Sequence, residues 1–186
     1  PDSVIEYYHQ ESMASGTRIR EKLSEAVEES IKTLANGFLS HRKNEALIQL
    51  IEDDHLDANT FYTHQLRLIY RVLFLIVLEE RNLIYPEDPS EEQQRFRDIY
   101  YKYYSIERLR KLTENRVYVD ADKFDLWESL KTTFLLFEDE RYGSKIGIKP
   151  LGSGLFAYNA LGNLKSQYLN NGELIKVLKH LTTFVD

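Results

Sequence analysis

The chain has 186 residues, of which 42% are hydrophobic and 29% are charged, and its formal net charge is -6. This balance is typical of a globular domain and argues against a disordered chain, while the negative charge argues against a nucleic-acid binder that uses its whole surface. The absence of cysteine excludes disulfide frameworks, thiolate zinc sites and cysteine nucleophiles, and it agrees with a reducing cytoplasm.

Neither targeting nor membrane insertion is predicted from the sequence. The chain begins with Pro1, and no charged segment followed by an apolar run comes next, so we predict no signal peptide. The most apolar run, 72–78, is far shorter than the roughly 20 residues that a bilayer crossing needs. We therefore expect a cytoplasmic protein without a membrane span, and we expect the chain to be a fragment of a larger protein.

Apolar residues recur at helical spacing through the first half of the chain. They predict an amphipathic helix at 17–40 and a shorter helix at 43–52. Residues 60–84 predict a long helix that is apolar on most sides, which is typical of the central helix of a bundle. Pro86 and Pro89 are expected to end this helix.

Helix start signals are clear in the next part of the chain. Ser90 and Gln93 have the spacing of a capping box, and two glutamates between them suit the positive end of a helix. A tyrosine-rich helix is therefore expected from residue 91. Ser105 is predicted to cap a short helix that runs to about residue 112.

The last third of the chain predicts two more helices and a glycine-containing loop. Asp122 is expected to cap a helix that runs to about residue 140, and a final helix is expected to start near Asn171. Two short apolar segments, 117–119 and 146–148, could pair as a hairpin. The whole chain therefore predicts one mainly α domain, a multi-helix bundle with at most a small two-stranded hairpin.

Four charged residues on or beside the predicted central helix suggest a structural role. A buried arginine needs an acidic or carbonyl partner, because an unpaired buried charge is costly. We hypothesise that these residues form one internal network of ion pairs and hydrogen bonds that fixes the helix register. The four residues are Arg67, Arg71, Glu79 and Arg81.

Several catalytic and metal-binding patterns are missing from the sequence. No lysine has an acidic residue two positions before it, as PD-(D/E)xK nucleases require, and no two prolines are adjacent, as the Asn/Asp-Pro-Pro-aromatic loop of adenine methyltransferases requires. The five histidines form no close ligand pair, and His64 is expected to be exposed or hydrogen-bonded. Acidic clusters such as 138–140 are expected to be solvated helix ends. We therefore predict no catalytic residue and no metal site.

One glycine loop, 150–156, has some likeness to a loop that binds S-adenosylmethionine. Gly152 and Gly154 would let the backbone approach such a cofactor. However, no acidic residue precedes the loop in the usual place, and few residues follow it. The favoured interpretation is a turn with glycines at positive φ and with Leu155 and Phe156 in the core, so no cofactor is predicted in this chain.

A basic and tyrosine-rich segment, 95–123, is the candidate nucleic-acid surface. Cations pair with phosphates and aromatic rings stack on bases, although tyrosines at helical spacing also occur in cores and interfaces. The cations assigned to this surface are Arg95, Lys102, Arg108, Arg110, Lys111 and Arg116.

Four motifs follow one another in order from about residue 60. They are LRLIYRVLF with the later EERNLIYP, then YYKYYSIERLR, DLWESLKTTF and GSGLF, at 66–74, 79–86, 100–110, 125–134 and 152–156. Together they resemble the helical connector of type IIG restriction–modification enzymes, which fuse an endonuclease to an adenine-specific DNA methyltransferase, and of related phage-defence methyltransferases. Residues 1–59 add N-terminal helices outside this resemblance.

The resemblance implies a non-catalytic scaffold that ends before the methyltransferase domain of its parent protein. The parent would bind DNA and S-adenosylmethionine, with Mg²⁺ where it also cuts DNA, and adjoining methyltransferase and nuclease modules would be the neighbours of this region. Two alternatives stay open. One is a free-standing helical module that binds another protein, and the other is a methyltransferase fragment that uses Gly152 and Gly154.

Overall fold

The computed structural model describes residues 2–114, 119–152 and 154–183. These residues are mainly α-helical, as predicted, and contain no strand. Short 3₁₀ turns lie at Ser144–Ile146, Gly154–Phe156 and Gly162–Ser166. The helices are α1 (Asp2–Ser40), α2 (Glu45–Glu52), α3 (Ala58–Glu80), α4 (Glu91–Tyr103), α5 (Ile106–Glu114), α6 (Asp125–Glu138), α7 (Glu140–Gly143) and α8 (Asn171–Thr182).

The C-terminal half of α1 packs closely against α8 and forms one side of the core. Phe38 is fully buried, and its ring meets the edge of the Trp127 ring with centroids 5.6 Å apart. A Cβ at Gly37 would lie only 2.7 Å from Leu169 Cδ1 and 3.2 Å from the Cβ of Glu173. The missing side chain at this position therefore sets how near the two helices approach each other.

The N-terminal half of α1 extends the helix well beyond its predicted start at residue 17. The described side chains between 10 and 22 are exposed, apart from the half-buried Gly16. Because this half buries almost nothing, it has no apolar periodicity from which its helical structure could have been predicted. The apolar pattern begins only where α1 meets the rest of the fold, with Ala26 and Leu34 buried.

The central helix α3 ends four residues before its predicted end at residue 84. The Arg81 N–H still donates to Val77 O at 3.1 Å, and Asn82 then takes a left-handed conformation with φ of 52°. Asparagine tolerates this conformation, which stops the helical hydrogen-bond pattern before either proline is reached.

Both predicted serine caps of the second half are present. The Gln93 N–H donates to Ser90 Oγ at 3.2 Å, and the Ser90 N–H donates to Gln93 Oε1 at 2.9 Å, which completes the capping box of α4. The Arg108 N–H donates to Ser105 Oγ at 3.0 Å at the start of α5. These caps depend only on neighbouring residues, so the sequence pattern was sufficient to find them.

The predicted cap of α6 by Asp122 is wrong. Asp122 lies in a turn held by Asp120, and α6 begins at Asp125 without a side-chain cap from the residue before it. Instead, Asn171 of α8 accepts from the Leu126 N–H at 3.1 Å and donates to Asp125 Oδ1 at 2.8 Å. A residue from a distant part of the chain therefore caps this helix.

The predicted hairpin is not supported by the described part of the chain. Residues 117 and 118 of the predicted hairpin lie outside the described residues. The other half, 146–148, is not extended: Ile146 ends a 3₁₀ turn, Gly147 has φ of 69°, and the Ile148 N–H donates to Gly143 O at 2.9 Å. A left-handed residue followed by a local hydrogen bond replaces the expected strand.

By length and composition alone, α3 is the one helix in the described residues that could cross a membrane. Of its most apolar window, 44% is buried inside the fold, and the core helix of a soluble protein passes the same test. The expectation of no membrane span rested on the uncharged run 72–78, which is shorter than this window.

We expect Gly162→Ala to lower the free energy of unfolding by about 2–4 kcal/mol. Gly162 has φ of 49°, and a Cβ there would lie 2.0 Å from Cε1 of the buried His64 ring. The matched control is Gly152→Ala, because Gly152 has φ of 57° but open space around it. Urea unfolding of both variants should show only about 1 kcal/mol for the control, and equal losses would contradict the predicted clash.

Candidate functional site

A fully buried arginine on α3 organises the centre of the domain. The Arg71 guanidinium pairs with Glu138 at the end of α6, and it also donates to the carbonyls of Leu155 at 2.7 Å and Ala157 at 3.0 Å. Lys165 contacts the other Glu138 oxygen at 2.5 Å. One side chain of α3 therefore holds both α6 and the loop after residue 154.

Aromatic rings lie against the same guanidinium. The Arg71 Cζ lies 5.2 Å from the centroid of the Phe134 ring and 5.0 Å from that of Phe156. Burial lowers the pKa of the Arg71 guanidinium, while the hydrogen bond and the charge of Glu138 oppose this effect. Because an arginine in a protein keeps its proton, the buried charge is balanced by Glu138 and by the two carbonyl dipoles.

A buried glutamate about two turns after Arg71 on α3, Glu79, forms hydrogen bonds with α4 and α5. Glu79 Oε1 accepts from the Tyr100 hydroxyl at 2.7 Å and from the Ile106 N–H at 2.7 Å, and Oε2 accepts from the Glu107 N–H at 2.8 Å. Glu79 therefore satisfies two of the free N–H groups at the start of α5. Burial raises the pKa of the Glu79 carboxyl, and these three hydrogen bonds act in the opposite direction.

The hypothesis of a single network is wrong, because the four predicted residues occupy separate places. Within the described residues, no hydrogen bond or ion pair joins any two of them. Arg67 is exposed and donates to Ala160 O at 3.2 Å, so it contacts the same loop as Arg71. Arg81 is exposed at the end of α3, and its backbone N–H caps that helix.

The glycine loop serves as a partner of α3. Gly152 has positive φ, as predicted, whereas Gly154 begins a 3₁₀ turn. Phe156 is buried and Leu155 is half-buried, as expected from the turn interpretation. Because Arg71 already binds two backbone carbonyls of this segment, the loop packs against the core with part of its backbone committed to that contact.

The predicted nucleic-acid residues differ in their exposure and in their partners. Arg95 and Lys102 are exposed on α4, whereas Arg108 is half-buried and donates to Ser129 Oγ at 3.2 Å. Arg110 lies 3.5 Å from Glu80, and Lys111 lies 2.6 Å from Glu107. Arg116 lies outside the described residues.

The cleft around Arg110 and Lys111 is therefore mixed in charge. The side chains of Glu79, Glu80, Glu107 and Glu114 line it together with these two cations. A phosphate entering this cleft would meet more carboxylates than cations, which opposes binding. Arg110 and Lys111 are therefore opposed by carboxylates, whereas Arg95 and Lys102 are exposed on α4.

The histidine environment differs from the sequence interpretation. His64 is buried, and its Nδ1 has no hydrogen-bond partner in the described part of the chain. Burial lowers the pKa of the His64 imidazole, and the charge of Arg67 lowers it further. Within the residues that the structure describes, no group of three or more metal-binding side chains is present.

We expect the fold to lose stability on acidification through His64. A histidine pKa that is lowered in the folded state gives stability that is present above the unfolded pKa of about 6.5 and is lost as pH falls through the folded value. His64→Gln should therefore lose less stability than the wild type between about pH 7.5 and about pH 5. The comparison isolates His64 from Glu79, whose raised pKa has the opposite sign, and exposed His55→Gln is the control. Parallel pH curves for wild type and His64→Gln would contradict this assignment.

Sequence reasoning missed two residues that hold the fold together. Glu138 was assigned to a solvated acidic cluster, yet its side chain is only 2% exposed. Its position four residues after the buried Phe134 places it on the inner face of α6, which was the available signal. Asn44 is buried and donates to Phe38 O at 2.8 Å and Tyr168 O at 2.7 Å, and no local sequence pattern indicates these contacts.

Comparison of the chain with protein-family models, with curated proteins and with solved structures gives no match. The class of protein is therefore defined by the fold and its contacts alone. It is a mainly α-helical domain in which buried charged side chains bond helices and loops to one another.

Proposed function

We propose that this region is a non-catalytic scaffold of a bacterial adenine-specific DNA methyltransferase from a restriction–modification or phage-defence system. In this role it holds adjoining methyltransferase and nuclease modules at a set distance on DNA in the cytoplasm. S-adenosylmethionine, and Mg²⁺ where the parent cuts DNA, would bind in those modules.

The observation that supports this role is the way the four family-like motifs meet. Arg71 of the first motif binds the Leu155 carbonyl of the last motif and lies against Phe134 of the third. Glu79, which begins the later part of the first motif, accepts from Tyr100 and Ile106 of the second. The segments that carry the resemblance are therefore joined to one another by buried polar contacts.

Such contacts suit a spacer more than a reaction site. Both Arg71 and Glu79 have their polar atoms engaged by the fold, and a removed partner would leave a buried charge unbalanced. Several elements are thereby held in one arrangement, and a domain that sets the distance between two modules needs that property.

The proposal is tested on the coding sequence and on the purified chain. The reading frame beyond residue 186 is expected to encode an Asn/Asp-Pro-Pro-aromatic element. The 186-residue chain is expected to release no heat with S-adenosylmethionine in calorimetry and to transfer no methyl group to DNA. A frame without that element, or methyl transfer by the chain itself, would overturn the proposal.

A second candidate is a module that binds a separate protein, and one surface favours it. An open groove of about 810 Å³ lies between α1 and α3 and includes the apolar side chains of Leu23, Val27, Ile31, Tyr62 and Tyr70. Tyr62 and Tyr70 are 49% and 46% exposed. Large exposed apolar patches mark interaction sites.

A photo-crosslinking residue at position 70 of the full-length protein separates the two candidates. In the scaffold proposal, the groove is covered by an adjoining module, and crosslinks form within one polypeptide. Crosslinks to a different polypeptide would instead favour the interaction module. Crosslinking residues at Thr132, which is exposed on α6, provide the control.

A further inference from the structure

A second cleft lies where the turn after α1 meets the loops before α6 and α8. It has a volume of about 610 Å³. Its lining comes from three separate parts of the chain, at 40–43, 122–124 and 170. None of these residues belongs to the contacts of Arg71 or Glu79.

Three cations line this cleft with a single carboxylate. Arg42, Lys43 and Lys123 are exposed, and none of them forms an ion pair with any residue that the structure describes. Asp122 is the acidic side chain in the lining. The cleft therefore has an excess of positive charge, in contrast to the mixed cleft around Arg110 and Lys111.

Aromatic rings hold one of these cations in position. The Lys43 Nζ lies 4.7 Å from the centroid of the Phe124 ring and 5.0 Å from that of Tyr168. His41 stacks on Tyr168 with an interplanar angle of 15°, and its Nδ1 accepts from the Lys43 N–H at 3.2 Å. A lysine that is placed in this way loses less conformational freedom when it binds an anion.

The backbone of the cleft is also fixed. Asn44, directly after Lys43, donates to Phe38 O and Tyr168 O and accepts from the Tyr168 N–H at 2.8 Å. Because Asn44 is buried, these bonds hold the turn after α1 against the segment before α8. The Asn171 N–H donates to Lys123 O at 2.6 Å, so the segment of Lys123 is also bonded to the start of α8.

A neighbouring cleft contains one of the cations that the sequence predicts to contact nucleic acid. It shares Lys123 and Phe124 with the cleft described above and includes Arg108 of α5. The neighbouring cleft also contains Asp120, Asp125 and Glu128, so its carboxylates outnumber its cations. The excess of positive charge is therefore confined to the cleft of Arg42, Lys43 and Lys123.

We propose that the cleft formed by Arg42, Lys43 and Lys123 binds the phosphate backbone of double-stranded DNA. The anion site rests on the geometry above, and the choice of DNA among polyanions rests on the proposed function. Both rings near Lys43 are engaged by His41 and Lys43, so contacts are made to phosphates and not to bases. Binding is therefore expected to be independent of sequence.

The test is a salt titration of DNA binding by the whole chain, in which the fluorescence anisotropy of a labelled duplex reports binding. Three phosphate contacts predict a slope of about -2.7 for log K against log salt, which is about a 40-fold loss between about 50 and 200 mM. The test variant is Arg42→Gln/Lys43→Met/Lys123→Gln, in which Met keeps an apolar stem between the rings. It is expected to lose most of that slope.

The control variant removes the same charge elsewhere. Lys22, Lys145 and Lys149 are exposed and lie outside this cleft, so Lys22→Gln/Lys145→Gln/Lys149→Gln should bind DNA as the wild type does. A poly-glutamate peptide and inorganic phosphate replace DNA in parallel titrations. Both are expected to bind more weakly than the duplex.

Four results would overturn the proposal. They are no DNA binding by the wild type, equal losses in the test and control variants, tighter binding of poly-glutamate than of DNA, and a lower melting temperature of the test variant without a change in affinity. The third result would indicate an acidic protein partner. The fourth would indicate that Arg42 and Lys43 stabilise the negative C-terminal end of α1. The scaffold proposal survives each of them, because the coding sequence and the methyl-transfer assay test it separately.

Discussion

Arg71→Ala is expected to lower the free energy of unfolding by about 3–5 kcal/mol. The substitution leaves the buried Glu138 without its arginine partner and leaves the Leu155 and Ala157 carbonyls without a donor. Lys165 keeps one contact with Glu138, so the loss should fall in the lower half of this range. Urea unfolding followed by circular dichroism measures it.

Two further variants show whether the charge itself matters. Arg67→Ala removes an exposed arginine with one carbonyl contact and should cost less than about 1 kcal/mol. Arg71→Met/Glu138→Leu removes both buried charges together and should recover much of the stability that Arg71→Ala loses. Equal unfolding midpoints for Arg71→Ala and Arg67→Ala would refute the role of the buried pair.

Glu79→Ala is expected to cost about 3–5 kcal/mol for a different reason. Three donors lose their acceptor at once: the Tyr100 hydroxyl and the N–H groups of Ile106 and Glu107. Each buried donor without a partner costs about 1–3 kcal/mol, and the contributions are not fully additive. Thermal and urea unfolding should both show the loss.

The neighbouring Glu80 provides a matched control for Glu79. Glu80 is exposed, and among the described residues its ion pair is with Arg110 at 3.5 Å. Glu80→Ala should therefore change stability by less than about 1 kcal/mol. Glu79→Gln keeps an acceptor oxygen and should cost less than Glu79→Ala. If Glu79→Ala behaved as Glu80→Ala does, the start of α5 would not depend on this carboxylate.

The parts of the fold that could be predicted are those that depend on local contacts. The caps formed by Ser90 and Ser105 involve partners three residues away, and both are present. The start of α6 could not be predicted in the same way, because Asn171 caps it from 45 residues away in the chain. The helical first half of α1 was missed since it buries little and therefore has no apolar pattern.

The site shows the same division between local and distant contacts. Burying the Arg71 charge is costly, so the sequence predicts that Arg71 has an acidic or carbonyl partner. The sequence does not identify Glu138 among the other acidic residues, because it lies 67 residues away. The basic segment looked unopposed because Glu80, which pairs with Arg110, belongs to another helix. Arg42 and Lys43 have no sequence pattern that indicates a site, because only folding brings them beside Lys123.

The exposed half of α1 sets the direction, around the helix axis, in which the N-terminal end of this helix faces relative to the rest of the domain. The helix has 39 residues and is therefore about 58 Å long at 1.5 Å per residue. Inserting one residue near Gly16 would rotate the residues before Gly16 by about 100° around the helix axis and would shift them by only about 1.5 Å along it. Inserting about seven residues would nearly restore the original direction, so angle and reach along this arm can be varied almost independently.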